Sequence, residues 1–176
     1  QEPASLFIYN DQSQAARNIR EAIYDGPVDM LSYQATPVIL TEVPSQANGG
    51  AGIESVEVSP GAIIVDSQGD LANLKQGIQY FPAGCRSGEC AQTYSGQGSV
   101  QMDQMVVRFR LRQGLQWSDG APLTADDSQY SYEIAQALYP RVRQNLIAHT
   151  AFYQAQDAET IVWRGLPGYR DPSFTS

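Results

Sequence analysis

Residues 105–138, MVVRFRLRQGLQWSDGAPLTADDSQYSYEIAQAL, constrain the fold more than any other stretch, because a strand pattern, a turn and a helix pattern follow one another without a gap. Val107, Phe109 and Leu111 alternate with Arg108, Arg110 and Arg112, the period of a strand with one buried and one wet face. Gln113-Gly114 breaks the alternation, and Trp117 brings a large apolar side chain back against whatever the strand covers, a buried anchor beneath the turn that follows in preference to a ligand stacker. Asp119-Gly120 predicts that turn, since glycine takes a positive φ at no steric cost. Beyond Pro122, Thr124 stands where a helix N-cap belongs, with Asp127 three residues on as the acidic partner of a capping box. Such a cap is worth about 1 kcal/mol, and Asp126 and Asp127 also suit the positive end of the helix dipole. Tyr130, Ile134 and Leu138 then fall at i, i+4 and i+8, one apolar helix face.

The run FRLRQGLQWSDGAPLTADD, followed by SYEIA, resembles a signature of the extracellular solute-binding proteins that serve ABC importers, the family of the oligopeptide, dipeptide and nickel receptors. A weaker match lies upstream, where EPASL precedes ARNIREAIYDGPVDM; there the family has an early strand and a helix ending in glycine. The resemblance makes Trp117, Asp119, Gly120, Pro122, Thr124 and Asp127 a structural signature and carries no ligand-contact residue across. It implies an α+β chain with a mixed, mostly antiparallel sheet and two main helices. Relatives are longer and two-lobed, so residues 1–176 are expected to form a single domain, a fragment of the first lobe. The implied function is capture of a solute by lobe closure and delivery to an ABC permease. Peptides come first as solutes, ahead of nickel complexes and oligosaccharides. The implied setting is extracytoplasmic, in the periplasm or on the cell surface, with any export segment or lipid-bearing cysteine of a membrane-anchored lipoprotein lying outside this sequence.

The composition agrees with a folded domain. A chain of 176 residues buries roughly 70% of its unfolded surface as one domain. A net charge of −8 argues against nucleic acid as a partner, since phosphates need a basic patch. No run approaches the ~20 apolar residues of a membrane helix. The arginines at 108, 110 and 112 form the one basic cluster, read as a solvated or salt-bridged strand face in preference to an anion site.

Along the chain, residues 6–9 form a short apolar strand candidate, and residues 10–13 offer capping groups. Ala15, Ile19 and Ile23 mark a helix face that should end at Asp25-Gly26-Pro27. Residues 33–44 are extended around Val38, Ile39 and Leu40. Residues 48–52 read as a flexible loop. Val56 and Val58 flank Glu57 in a short strand, followed by a turn at Pro60-Gly61, an apolar run at 62–65 and another turn at 66–70. Leu71, Leu74 and Ile78 fit either a brief helix or a strand around Gly77. This sheet-like insertion is longer than in the simplest relatives. After the signature, Pro140 ends the helix, residues 146–153 fit a short helix or an irregular segment, and residues 160–163 form a strand.

Cys85 and Cys90 enclose Arg86-Ser87-Gly88-Glu89. The exported setting implied by the resemblance favours a structural disulfide, worth roughly 2 kcal/mol for so short a loop. A zinc site would need four ligands, with only His149 to help. A redox pair is the third reading, although the spacing is not C-x-x-C. No catalytic residue emerges. His149 lacks a partner at metalloprotease spacing, and neither a G-x-S-x-G elbow nor a phosphate-cradling glycine motif occurs. Asp126 and Asp127 point about 100° apart on a helix and serve capping better than acid–base work. Neither cofactor nor metal ligand set is indicated. Tyr130, Tyr132, Phe152 and Tyr153 are read as core and rim packing ahead of a ligand pocket. An interaction or sensor module on the same scaffold is the alternative to an importer receptor, and a thiol-redox enzyme stands third.

Overall fold

The computed structural model describes residues 4–5, 13–24, 26–85, 87–139 and 144–174. The strand candidate at 6–9, the helix-ending Asp25 and Pro140 lie outside them. Helix α1 (Gln14–Ile23) starts at Ser13, whose hydroxyl accepts the Ala16 N–H at 3.2 Å. Ala16 is its buried residue, whereas Ile19 and Ile23 are exposed, so the expected Ala15-Ile19-Ile23 face is not the packed one.

Strands β1 (Val28–Leu31) and β2 (Gln34–Pro37) form a hairpin turning on Ser32 and Tyr33, both at positive φ. The expected extended segment from residue 33 is thus the second half of a hairpin. Strand β3 (Ala51–Val58) begins inside the stretch read as a flexible loop. Its partner β8 takes the N–H and C=O groups of Ala51 and Gly52 into a ladder despite the glycines. Between them come β4 (Ile63–Val65), β5 (Leu71–Asn73), β6 (Gln79–Tyr80) and β7 (Gln92–Thr93), paired as two small hairpins. The ambiguous stretch around Gly77 is extended on both sides of a turn, with Gly77 at φ 88°. Strand β8 (Val100–Arg110) leads to α2 (Ala125–Leu138), a short α3 (Gln144–Ala148), and β9 (Thr150–Ala155) paired with β10 (Thr160–Gly165).

The fold is α+β. Its main sheet has the order β3-β8-β10-β9, and every pairing among the described strands is antiparallel. A third helix, α3, joins the two expected.

Strand β8 spans 11 residues, about twice a typical strand, and its opposite faces join two different cores, with residues 104–107 buried on both faces. Val100 and Met102 pair with Val58 and Val56 and carry the core of the inserted hairpins, with Ile64, Leu74, Tyr80 and Tyr94. Met105 and Val107, one residue out of phase, share the other face with Ala51, Ile53 and Trp163. Helix α2 packs on β9 and β10. The C-terminal loop fastens the two cores together. Val65 N–H donates to the Pro167 carbonyl at 2.9 Å and Gly168 N–H to the Asp103 carbonyl at 2.8 Å. Arg170 donates to the Asp103 carboxylate at 2.5 Å.

Candidate functional site

The corner between β8 and α2 is built from local rules. After Leu111, which bridges Leu40, residues 115–123 fold as a miniature hairpin. Leu123 N–H donates to the Leu115 carbonyl at 3.0 Å, Trp117 N–H to Ala121 at 2.8 Å, and Gly120 N–H back to Trp117 at 2.9 Å. Gln116 and Pro122 face each other as the rung between. Asp119 Oδ1 accepts the Ala121 N–H at 3.0 Å, and Gly120 takes φ 86°. At the helix start the Asp127 carboxylate accepts the Thr124 N–H at 2.8 Å and its hydroxyl at 3.2 Å. Ala125 is fully buried, and its N–H donates to the Ala158 carbonyl at 2.8 Å, fixing the helix to the β9–β10 turn.

Trp117 corrects an expectation. It is 47% exposed at the tip of the miniature hairpin, because the turn's backbone bonds hold the corner without an anchor beneath it. The buried indole is Trp163, 3% exposed, with Nε1–H donating to Thr150 Oγ1 at 2.8 Å. Thr150 in turn donates its hydroxyl to the Leu146 carbonyl at 2.7 Å. Tyr169 meets Trp163 edge-on, and Phe174 bridges from Trp163 to Phe109. His149 stacks on Tyr169 at 4.3 Å and lies 2.7 Å from the Asn145 carbonyl through Nδ1, a packing role. Among the described residues no group of three His, Cys, Asp or Glu side chains is placed to hold a metal.

Of the four aromatic candidates, Tyr132 and Tyr153 are brought together and Tyr130 and Phe152 are not. Tyr132 and Tyr153 pair at 4.8 Å between α2 and β9, and Tyr153 shares a 2.7 Å hydrogen bond with Ser128. Burial raises the Tyr132 phenol above its ordinary pKa, partly offset by a hydrogen bond with Thr150. Burial, with the Asp171 charge behind it, does the same to Tyr169. Tyr130 points outward from α2, 65% exposed, and Phe152 sits on the opposite sheet face beside Arg164. The face carrying Tyr130 and Leu138 is the helix's outer side. Its inner side is Ala125, Ser128, Gln129 and Tyr132, where Gln129 Oε1 accepts the Ala155 N–H at 2.9 Å.

The three arginines serve different partners. Arg108 lies 3.6 Å from Glu54, which also takes a 2.6 Å bond from Arg164. The Arg164 hydrogen bond, helped by the charges of both arginines, holds the Glu54 carboxyl below its usual range against the opposing effect of burial. Arg112 donates to the Leu40 and Pro37 carbonyls, tying the β1–β2 hairpin's exit to the corner. Arg110 is exposed beside Asp157. Neither Glu54 nor Asp103, the counter-charges of this sheet, stood out in the sequence, since each finds its arginine only through strand pairing or the C-terminal loop.

Cys85 and Cys90 are joined in a disulfide, with Cys85 buried and Cys90 exposed. The surface of the described residues includes two recesses. One of about 60 Å³ is lined by Glu42, Asn48, Gly49, Gly50, Arg108 and Arg110; it has room for little more than water. A broader depression of about 500 Å³ lies over Leu74 and Tyr94, between the turns at Pro60-Gly61 and Ser95-Gly96. Small-molecule sites enclose most of their ligand in a preformed cleft, and the aromatic face that could have lined one is filled by Trp163, Tyr169, Phe174 and α2.

Residues 91–164 match the family described as bacterial extracellular solute-binding proteins, family 5, middle region. That segment runs from β7 through the corner to β10, so the resemblance carried by the signature is borne out. A crystal structure of an oligopeptide binding protein from Thermus thermophilus, complexed with a pentapeptide, shares the fold with a TM-score of 0.57 at 14% identity. The match covers 94% of this chain and 22% of that one. The chain thus spans about a fifth of that protein's length. The search of curated proteins returned no match.

Proposed function

We propose that this chain, with its middle segment in the family of bacterial extracellular solute-binding proteins, is a non-catalytic part of the first lobe of an importer receptor. The observation that carries the reading is the family match over residues 91–164, which contains the whole strand–turn–helix corner. The solute is a peptide, as it is in the oligopeptide binding protein that shares the fold. Capture proceeds by closure of two lobes: a ligand that touches both in the closed state and one in the open state shifts the population toward closure. The closed receptor then delivers its solute to a membrane permease from an extracytoplasmic position, held near the membrane by a lipid anchor. None of the described helices is long and apolar enough to cross a membrane.

The division of labour follows from packing. Thr124, Asp119 and Asp127 are engaged in capping and turn bonds, and Phe109 and Tyr132 in ring contacts within the chain, so on this reading the gripping surfaces lie elsewhere in the receptor. Thermal unfolding with and without a mixed peptide library tests this. The receptor including its second lobe should gain stability by mass action, and the 176-residue chain should not.

An interaction or sensor module on the same scaffold is the second reading, favoured by apolar side chains left on the outside of the corner. Trp117, Tyr130 and Leu138 are 47%, 65% and 67% exposed. A two-lobed protein indifferent to peptides, metals and sugars would support this reading over the first.

A further inference from the structure

The chain holds a single Asn-Gly dipeptide, Asn48-Gly49, at the entry to β3. The asparagine side chain is the centre of a clasp. Asn48 Oδ1 accepts the N–H groups of Ser45 and Gly50, both at 2.9 Å, and Nδ2 donates to the Val43 carbonyl at 2.9 Å. The backbone closes around it, with Gly49 N–H donating to Gln46 at 3.3 Å and Ala51 N–H to Ser45 at 2.9 Å. Gly50 is packed so tightly that a Cβ there would come within 2.8 Å of Pro44 and 2.9 Å of Asn48 Oδ1. The Gly50 carbonyl takes the Arg108 N–H at 2.8 Å, so the clasp fixes where β3 meets β8.

An asparagine followed by glycine is open to attack on itself, because no Cβ shields the next backbone nitrogen. The Gly49 nitrogen loses its proton and bonds to Asn48 Cγ, and the Cγ–Nδ2 bond breaks. Ammonia leaves with that proton, and a five-membered succinimide remains. Water then opens the ring at either carbonyl, giving aspartate or isoaspartate. In the closed clasp the Gly49 N–H is engaged by Gln46, and the carboxamide is held by Ser45, Gly50 and Val43. The attack needs both sets of bonds released.

We propose that Asn48-Gly49 is a spontaneous deamidation site that the folded clasp protects and that local opening of residues 43–51 exposes. The modification would therefore record how often this edge of the sheet opens. The chain is incubated at mildly alkaline pH, folded and in guanidinium, and mapped by mass spectrometry for the amide-to-acid change and for isoaspartate at position 48. The expected rate in guanidinium is at least about 10-fold above that of the folded chain, because modification follows the population of the open state. Asn48→Gln should abolish the product over the same interval. Equal rates in the two conditions would overturn the protection. Absence of product at position 48 from the unfolded chain, or its persistence in Asn48→Gln, would overturn the site.

Discussion

Trp117 and Trp163 carry the same indole in opposite surroundings, one at the tip of a turn and one in the core. Trp117→Ala is expected to change the unfolding free energy by no more than about 0.5 kcal/mol, as surface substitutions do. Trp163→Ala should cost about 3–5 kcal/mol, since it leaves a cavity and strips Thr150 of a donor. Chemical denaturation of the two variants checks this difference. Glycines allow a similar contrast. Gly120 and Gly168 both stand at positive φ, but a Cβ at Gly120 meets open space and one at Gly168 lies 2.3 Å from the Val65 carbonyl oxygen. Gly120→Ala incurs only the left-handed backbone cost of about 1–2 kcal/mol. Gly168→Ala adds a clash with the Val65 carbonyl, on the residue whose N–H fastens the inserted hairpins to Pro167, so its denaturation midpoint should fall further. Glu54 sets a pH dependence. Its folded pKa lies below the unfolded value, so its stabilisation is present above that value and is lost as pH falls through the folded one. The groups are 31–43% exposed, which limits the effect to under about 1 kcal/mol. Stability measured between pH 7 and 3 should decline less steeply in Glu54→Gln than in the parent chain.

At the scale of elements, the corner rests on a cap whose removal is measurable. Asp127→Ala should destabilise the chain by about 1 kcal/mol, read from its urea midpoint. An unchanged midpoint would mean that the Ala125–Ala158 bond alone positions the helix. The cap, the Asp119-Gly120 turn and the β8 alternation were legible in sequence because each is decided within a few residues. The Val28–Pro37 hairpin was not, since Ser32-Tyr33 supplies none of the glycine or asparagine that normally marks such a turn. Helix α2 misled for another reason. Its apolar period selects Tyr130, Ile134 and Leu138, yet β9 offers hydrogen-bonding partners that draw Ser128, Gln129 and Tyr132 inward. The pair of cores joined by the opposite faces of β8 was equally hidden, because both parities of that strand are apolar between Met105 and Val107 and only the packed neighbours tell which core each face meets.

For the whole molecule, the proposed role is that of a support: a main sheet whose long strand β8 joins a different core on each face, with Trp163, Tyr169, Phe174 and Phe109 packed on one another. On the proposed reading, such a support folds without solute and gives its geometry to surfaces contributed by a second lobe. Among the candidate site residues, the sequence could show which build the corner. It could not show ligand contacts, because the side chains that could have lined a cleft, Tyr132 and Tyr153, are brought together only to pack on each other. The most direct test is a calorimetric titration of mixed short peptides into the 176-residue chain and, in parallel, into the receptor that includes both lobes. Saturable heat from the two-lobed protein and none from this chain is the predicted result; saturable peptide binding by this chain alone would contradict it.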